Sequence, residues 1–119
     1  MVEDDPRVRA LLVETLGEAG YEVRAAADGA GALNELRPPA PPPDLLVVDI
    51  MMPDVDGVNL VKAIKEDRKN SAIPVIFLTA RSDPQSMAAG VGAGARYYVT
   101  KPFHLDDLLA KIDKALARR

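Results

Sequence analysis

Apolar positions along the chain recur either at helical spacing or in short continuous runs, and the alternation of the two predicts helices separated by strands. Val8, Leu11, Leu12, Thr15, Leu16 and Ala19 follow a helical period behind Asp5 and Pro6, which read as an N-cap and a first helical residue. Gly20 supplies the stop. Tyr21, Val23 and Ala25 alternate with Glu22, Arg24 and Ala26, the pattern of a short strand. Asp28 and Gly29 make a turn, and Ala32, Leu33 and Leu36 mark a short second helix. LLVVDI, Leu45 to Ile50, is an apolar run broken only by Asp49, as expected of a strand covered on both faces. Val58, Leu60, Val61 and Ile64 mark a third helix that decays into EDRKNS. PVIFLTA, Pro74 to Ala80, predicts another buried strand, and YYV, Tyr97 to Val99, a further one. Between them Asp83 and Pro84 repeat the cap signal and open a helix rich in alanine and glycine. Leu105, Leu108, Leu109, Ile112 and Leu116 form the stripe of a final helix.

RPPAPPP, Arg37 to Pro43, is neither helix nor central strand, because proline lacks the backbone donor that both need. It reads as a stiff connector in preference to a ligand for a proline-recognising module. Strands alternating with helices imply a parallel sheet with helices on both sides. No internal repeat or second domain is visible, so residues 1–119 are expected to form one domain.

Composition narrows the function classes. Hydrophobic residues make up 48% and charged residues 28%, a globular balance outside the disordered regime. A formal charge of -3, with fifteen basic residues scattered along the chain, argues against direct nucleic-acid binding. No apolar run approaches the ~20 residues of a membrane span, and no signal-peptide pattern precedes the first acids. There is no cysteine, hence no disulfide, thiol nucleophile or cysteine zinc site, and a single histidine, His104, excludes a multi-histidine metal centre. A cytoplasmic domain is the expectation.

In an open parallel sheet, ligands bind beyond the carboxyl ends of the strands. Glu3 and Asp4 follow the first apolar residues, Asp49 follows LLVV, Thr79 follows VIFL and Lys101 follows YYVT. The topology therefore places all of them at one edge. Three facing carboxylates are costly unless a cation lies between them, and oxygen ligation suits Mg2+ or Mn2+. A lysine opposite leaves room for an anion, and a threonine hydroxyl offers it a hydrogen bond. Those parts fit phosphoryl transfer, with the Asp49 carboxylate as acceptor.

EDDPRVR, DGAGAL, PDLLVVDIMMPDVDG, IPVIFLTAR and GARYYVTKPF, in this order, make the chain resemble the receiver domain of two-component response regulators over nearly its whole length. The resemblance implies a flavodoxin-like, doubly wound parallel sheet of order 2-1-3-4-5 with five helices. By position, Asp49 looks like the phosphoacceptor, Asp4 the direct metal ligand, Glu3 a ligand through water, and the Met51 backbone carbonyl a third protein ligand. Lys101, followed by Pro102, looks like the lysine that pairs with the phosphoryl group. Thr79 resembles the switch hydroxyl, the Ala80 N–H a phosphoryl-oxygen donor, and Tyr98 the aromatic switch residue. The implied donor is a phosphohistidine on a sensor histidine kinase or phosphotransfer protein. The implied reader is an output domain or effector on the face formed by the helix after Asp83, the last strand and the last helix.

Two departures qualify the likeness. The family's first strand has several apolar residues before its acids, whereas only Met1 and Val2 precede Glu3 here, so a shortened first strand is expected. The winged-helix branch, which dimerises through the last-helix face, often carries GADDY, whereas Arg96 and Tyr97 replace its two acids here; this counts against that dimer mode, while the LTAR stretch, common in the same branch, keeps a homodimer among the expected partners. The alternatives are a non-phosphorylated interaction platform and a phosphatase of the haloacid dehalogenase class. The latter wants a second acid two residues after its nucleophile, where this chain has Met51.

Overall fold

The computed structural model describes residues 1–37, 41–52, 54–80, 88, 92 and 95–117. Strands β1 (Leu46–Asp49), β2 (Val75–Thr79) and β3 (Ala95–Thr100) lie side by side in that order. Both pairings are parallel, with Asp49 opposite Leu78 and Thr79 opposite Thr100. Every residue of β1 and β2 is buried, as their unbroken apolar runs require of strands covered on both faces.

On the other side of β1, Val2 bridges both Val48 and Ala26 in parallel. Its N–H donates to the Val47 carbonyl at 2.8 Å, the Asp49 N–H donates to its carbonyl at 2.9 Å, and the Glu3 N–H donates to the Ala26 carbonyl at 3.0 Å. The sheet positions thus run Ala26, Val2, β1, β2, β3, which is the 2-1-3-4-5 order of the flavodoxin-like sheet, with its second position held by the pairings around one residue.

That shortness corrects one expectation. The alternating stretch Tyr21 to Ala26 does not form a strand, since among the described residues only Ala26 pairs with a neighbour in the sheet. A pleated segment becomes a strand only where a neighbour supplies hydrogen-bond partners. Here the Arg24 carbonyl accepts from the Met1 amino group at 2.6 Å, and Tyr21 to Ala25 line a cavity of about 520 Å3 together with Leu45, Leu46 and Val47.

Helices α1 (Pro6–Glu18), α2 (Gly29–Glu35), α3 (Gly57–Lys65) and α4 (Leu105–Ala117) cover the sheet. Asp5 caps α1, accepting from the Arg7 N–H at 2.9 Å. Asp28 does the same for α2 through the Gly31 N–H at 2.7 Å, so the expected Asp28–Gly29 turn is a helix start. Asp56 caps α3. The helix expected after Asp83 and Pro84 lies outside the described residues apart from Ala88 and Gly92, both helical. In the proline connector, residues 38–40 also lie outside them. Its flanks are tied by the Arg24 guanidinium, which donates to the carbonyls of Glu35 (3.0 Å) and Pro41 (2.9 Å).

Side chains alternate across the sheet. Val48, Val75 and Phe77 pack with Val61 and Ile64 of α3, while Val47, Ile76 and Leu78 pack with Leu12 and Leu16 of α1 and with Leu108 and Ile112 of α4. Leu12 is fully enclosed and its neighbour Leu11 is 47% exposed. Leu12→Ala is therefore expected to cost about 2–5 kcal/mol, and Leu11→Ala to stay within about 0.5 kcal/mol. Urea denaturation of the two variants checks the assignment of α1's buried face.

Candidate functional site

The carboxyl edge of the sheet collects polar side chains because parallel strands end on the same side. Glu3 follows Val2, Asp49 and Thr79 close β1 and β2, and Lys101 follows β3. Glu3 is 1% exposed and Asp49 4%, while Asp4 is half-buried. One carboxylate oxygen from each of the three lies within 4.8 Å of the others. The Lys101 ammonium enters the same space, donating to Glu3 Oε1 at 2.7 Å and to Asp49 Oδ2 at 3.2 Å. Asp49 Oδ1 accepts from the Met51 N–H at 3.0 Å, and Glu3 Oε2 from the Asp5 N–H at 3.2 Å. The peptide between Lys101 and Pro102 is cis.

Burial pushes the Glu3 carboxyl up to about 7, against the hydrogen bond from Lys101, and neighbouring Asp49 adds to the rise. Burial by itself would lower the Lys101 ammonium, but the hydrogen bond to Glu3 and the charge of Asp49 hold it above its ordinary value. Three carboxylates on one small pocket with a single ammonium leave negative charge to be neutralised. Their hard oxygens fit a divalent cation of the magnesium type.

The other candidates surround this cluster. Thr79 is fully buried, and its carbonyl accepts from the Lys101 N–H at 2.7 Å, so it adjoins the lysine through the backbone. Ala80 is exposed just past β2, and Met51, 49% exposed, lies in the loop after Asp49. Tyr98 sits further down β3, half-buried, with its ring 6.4 Å from that of Phe77 and tilted by 54°. The structure thus brings Glu3, Asp4, Asp49 and Lys101 into one cluster, sets Thr79 beside it, and holds Tyr98 in the core behind.

Two residues escaped the sequence reading. Asp54 looks like turn chemistry, yet its carboxylate accepts from the N–H groups of Gly29 (3.1 Å) and Ala30 (3.2 Å). A pairing across so many residues leaves no local pattern. Gly57 reads as a turn closure, but a Cβ there would lie 2.4 Å from the Asp49 carbonyl oxygen, so it lets α3 begin against the acid's own backbone.

A family model described as the response regulator receiver domain matches residues 1–113. The uncharacterized transcriptional regulatory protein YrkP of Bacillus subtilis is 42% identical over 118 residues, 99% of this chain and 48% of that one. The phosphate regulon transcriptional regulatory protein PhoB of Escherichia coli is 36% identical over 119 residues, 100% of this chain and 51% of its own. The chain spans about half the length of these relatives. Among solved structures, the non-phosphorylated HemR receiver domain of Leptospira biflexa superposes with a TM-score of 0.87 at 34% identity, covering 98% of this chain and 90% of that one. The response regulator TrrA of Thermotoga maritima, in complex with Mg2+-BeF, gives 0.81 at 36% identity, covering 97% and 95%.

The raised Glu3 carboxyl sets the sign of a pH effect. A carboxyl raised from 4.5 to about 7 contributes stability that is present below the lower value and lost as pH climbs through the upper one. In metal-free buffer, the melting temperature is expected to fall from about pH 5 to about pH 8, and Glu3→Gln to flatten that slope. Melts across this range check it, and an unaltered slope in the variant removes Glu3 as the source.

Proposed function

The chain belongs to the response regulator receiver domain family, and on that premise we propose that it takes a phosphoryl group onto Asp49 and passes the change to an output partner. Receiver domains of response regulators are signalling modules. The observation that carries the proposal is the cluster itself, in which the buried Glu3 and Asp49, with Asp4 beside them, share the Lys101 ammonium.

The donor is a phosphohistidine of a sensor histidine kinase or phosphotransfer protein. An Asp49 carboxylate oxygen forms a bond to phosphorus as the nitrogen–phosphorus bond breaks, and the histidine nitrogen keeps the electron pair. Lys101 already lies against Asp49 and offsets the charge of the phosphoryl oxygens in transit. Asp4, Asp49 and the Met51 carbonyl would hold Mg2+ or Mn2+, with Glu3 reaching it through water, and the ion supplies the remaining charge neutralisation. The similar TrrA protein, whose structure is a complex with Mg2+-BeF, supports this assignment. The Ala80 N–H binds a phosphoryl oxygen, and the Thr79 hydroxyl turns toward the same group. Tyr98 then rotates into the space that Thr79 leaves. Hydrolysis of the aspartyl phosphate restores the starting state.

The change is read on the face made by the helix after Asp83, β3 and α4. Its reader is an output domain or effector, since the relatives are named as transcriptional regulators. We read residues 1–119 as one domain that acts in the cytoplasm and assists its own phosphorylation and hydrolysis without turning over a separate substrate. Arg96 and Tyr97 make the acidic-motif homodimer an unfavoured assembly. Neither an inert platform nor a haloacid dehalogenase-class phosphatase has an observation in its favour.

Incubation with acetyl phosphate and magnesium, followed by intact mass, is expected to show a gain of one phosphoryl group. The gain disappears in Asp49→Asn and on chelation of the metal. Lys101→Ala, which removes a donor placed at the reacting carboxylate, is expected to slow the reaction by about 100-fold. A mass gain that persists in Asp49→Asn assigns the phosphoryl group elsewhere and overturns the reading.

A further inference from the structure

The loop that follows Asp49 is held in place from an unexpected direction. Its ends are closed by the Gly57 N–H, which donates to the Ile50 carbonyl at 2.8 Å. Between those ends, Asp54 reaches out of the loop to the start of α2, taking one N–H on each carboxylate oxygen, from Gly29 and from Ala30. The contact is close-fitting, because a Cβ on Gly29 would lie 2.2 Å from Val55 Cγ1. An aspartate serving only its own turn bonds to backbone two or three residues away. Asp54 also joins its loop to the first residues of α2, which lie 25 and 24 positions away along the chain.

These bonds close a ring. The Glu3 N–H holds the Ala26 carbonyl, two residues before the Asp28 cap of α2. Gly29 and Ala30 hold Asp54, and the Asp54 loop leads back through Met51 to Asp49. The Asp49 N–H closes the circuit on the Val2 carbonyl, one residue from Glu3. The loop after Asp49 and the start of α2 are thus tied together through Asp54. Met51, three residues before Asp54 in the same loop, orients Asp49 by donating its N–H to Oδ1 at 3.0 Å.

We propose that Asp54 is a positioning residue, which latches the loop after Asp49 onto the first N–H groups of α2 and thereby sets the Met51 backbone for divalent-ion binding. The inference rests on the receiver reading above and adds a residue to it. Asp54 touches neither the ion nor the phosphoryl group and works through the Met51 peptide. Groups that orient a ligand set change metal affinity although they do not bind the metal.

The test compares the full chain with Asp54→Ala, Asp54→Asn and Asp67→Ala, following amide shifts by NMR as magnesium is added. Asp67 caps the short turn beyond the other end of α3 and is the control for loss of an exposed cap. Asp54→Ala is expected to weaken magnesium binding by about tenfold. Asp54→Asn, which keeps one acceptor oxygen, should fall between it and the parent, and Asp67→Ala should match the parent. A merely stabilising Asp54 would lower the melting temperature and leave the affinity of the folded protein unchanged, which overturns the proposal. If the parent neither binds magnesium nor gains a phosphoryl group, the receiver reading fails and the latch with it. A parent that does both while Asp54→Ala binds equally well sinks the latch alone.

Discussion

Glu3 and Asp49 bury two carboxylates side by side, and the Lys101 ammonium is the single positive charge the described residues place between them. Carboxylates in such surroundings favour their neutral forms unless cations compensate, which is why Glu3 titrates far above the usual range. The arrangement persists because the sheet leaves these groups nowhere else to go. Val2 is pinned between Ala26 and Val48, Asp49 ends a wholly buried strand, and the Lys101 N–H is fastened to the Thr79 carbonyl. The hydrophobic core on both faces of the sheet thus stabilises an edge whose charges would otherwise separate.

An edge under that electrostatic load responds to any added charge. In the proposed function a divalent cation would relieve the repulsion, and a phosphoryl group on Asp49 would give Lys101 a new partner. The register of the sheet offers a route inward from there, since Thr79 lies opposite Thr100 and Phe77 opposite Tyr98 on adjacent strands. A change at the end of β2 therefore meets β3 within one pairing. The loop after Asp49 is tied both to its own helix, through the Gly57 N–H and the Ile50 carbonyl, and to α2 through Asp54.

Local chemistry makes much of this legible. The cap at Asp5, the stop at Gly20, the apolar runs of β1 and β2 and the stripe of α4 each follow from residues within one or two turns of one another. The membership of the site is also readable, because parallel topology converts the polar residue after each apolar run into a point on a common edge. The Tyr21–Ala26 alternation misleads for a physical reason, as a strand needs a neighbour and only Ala26 has one in the sheet. Asp28 reads as half of a turn because an Asp–Gly pair serves turns and helix starts alike, and only the Gly31 N–H decides between them.

From the order of its residues alone, this chain determined its helices, its buried strands, its parallel sheet and the identities of the acids, hydroxyl and lysine at one edge. These depend on periodicity, on caps and on the even spacing of strand ends, all of which are local. Tertiary structure decided which oxygen meets which donor. It placed Lys101 on Glu3 as well as on Asp49, carried Asp54 across to Gly29 and Ala30, and set Tyr98 against Phe77. Such contacts join residues far apart in the chain, so no pattern in the neighbourhood of either partner encodes them.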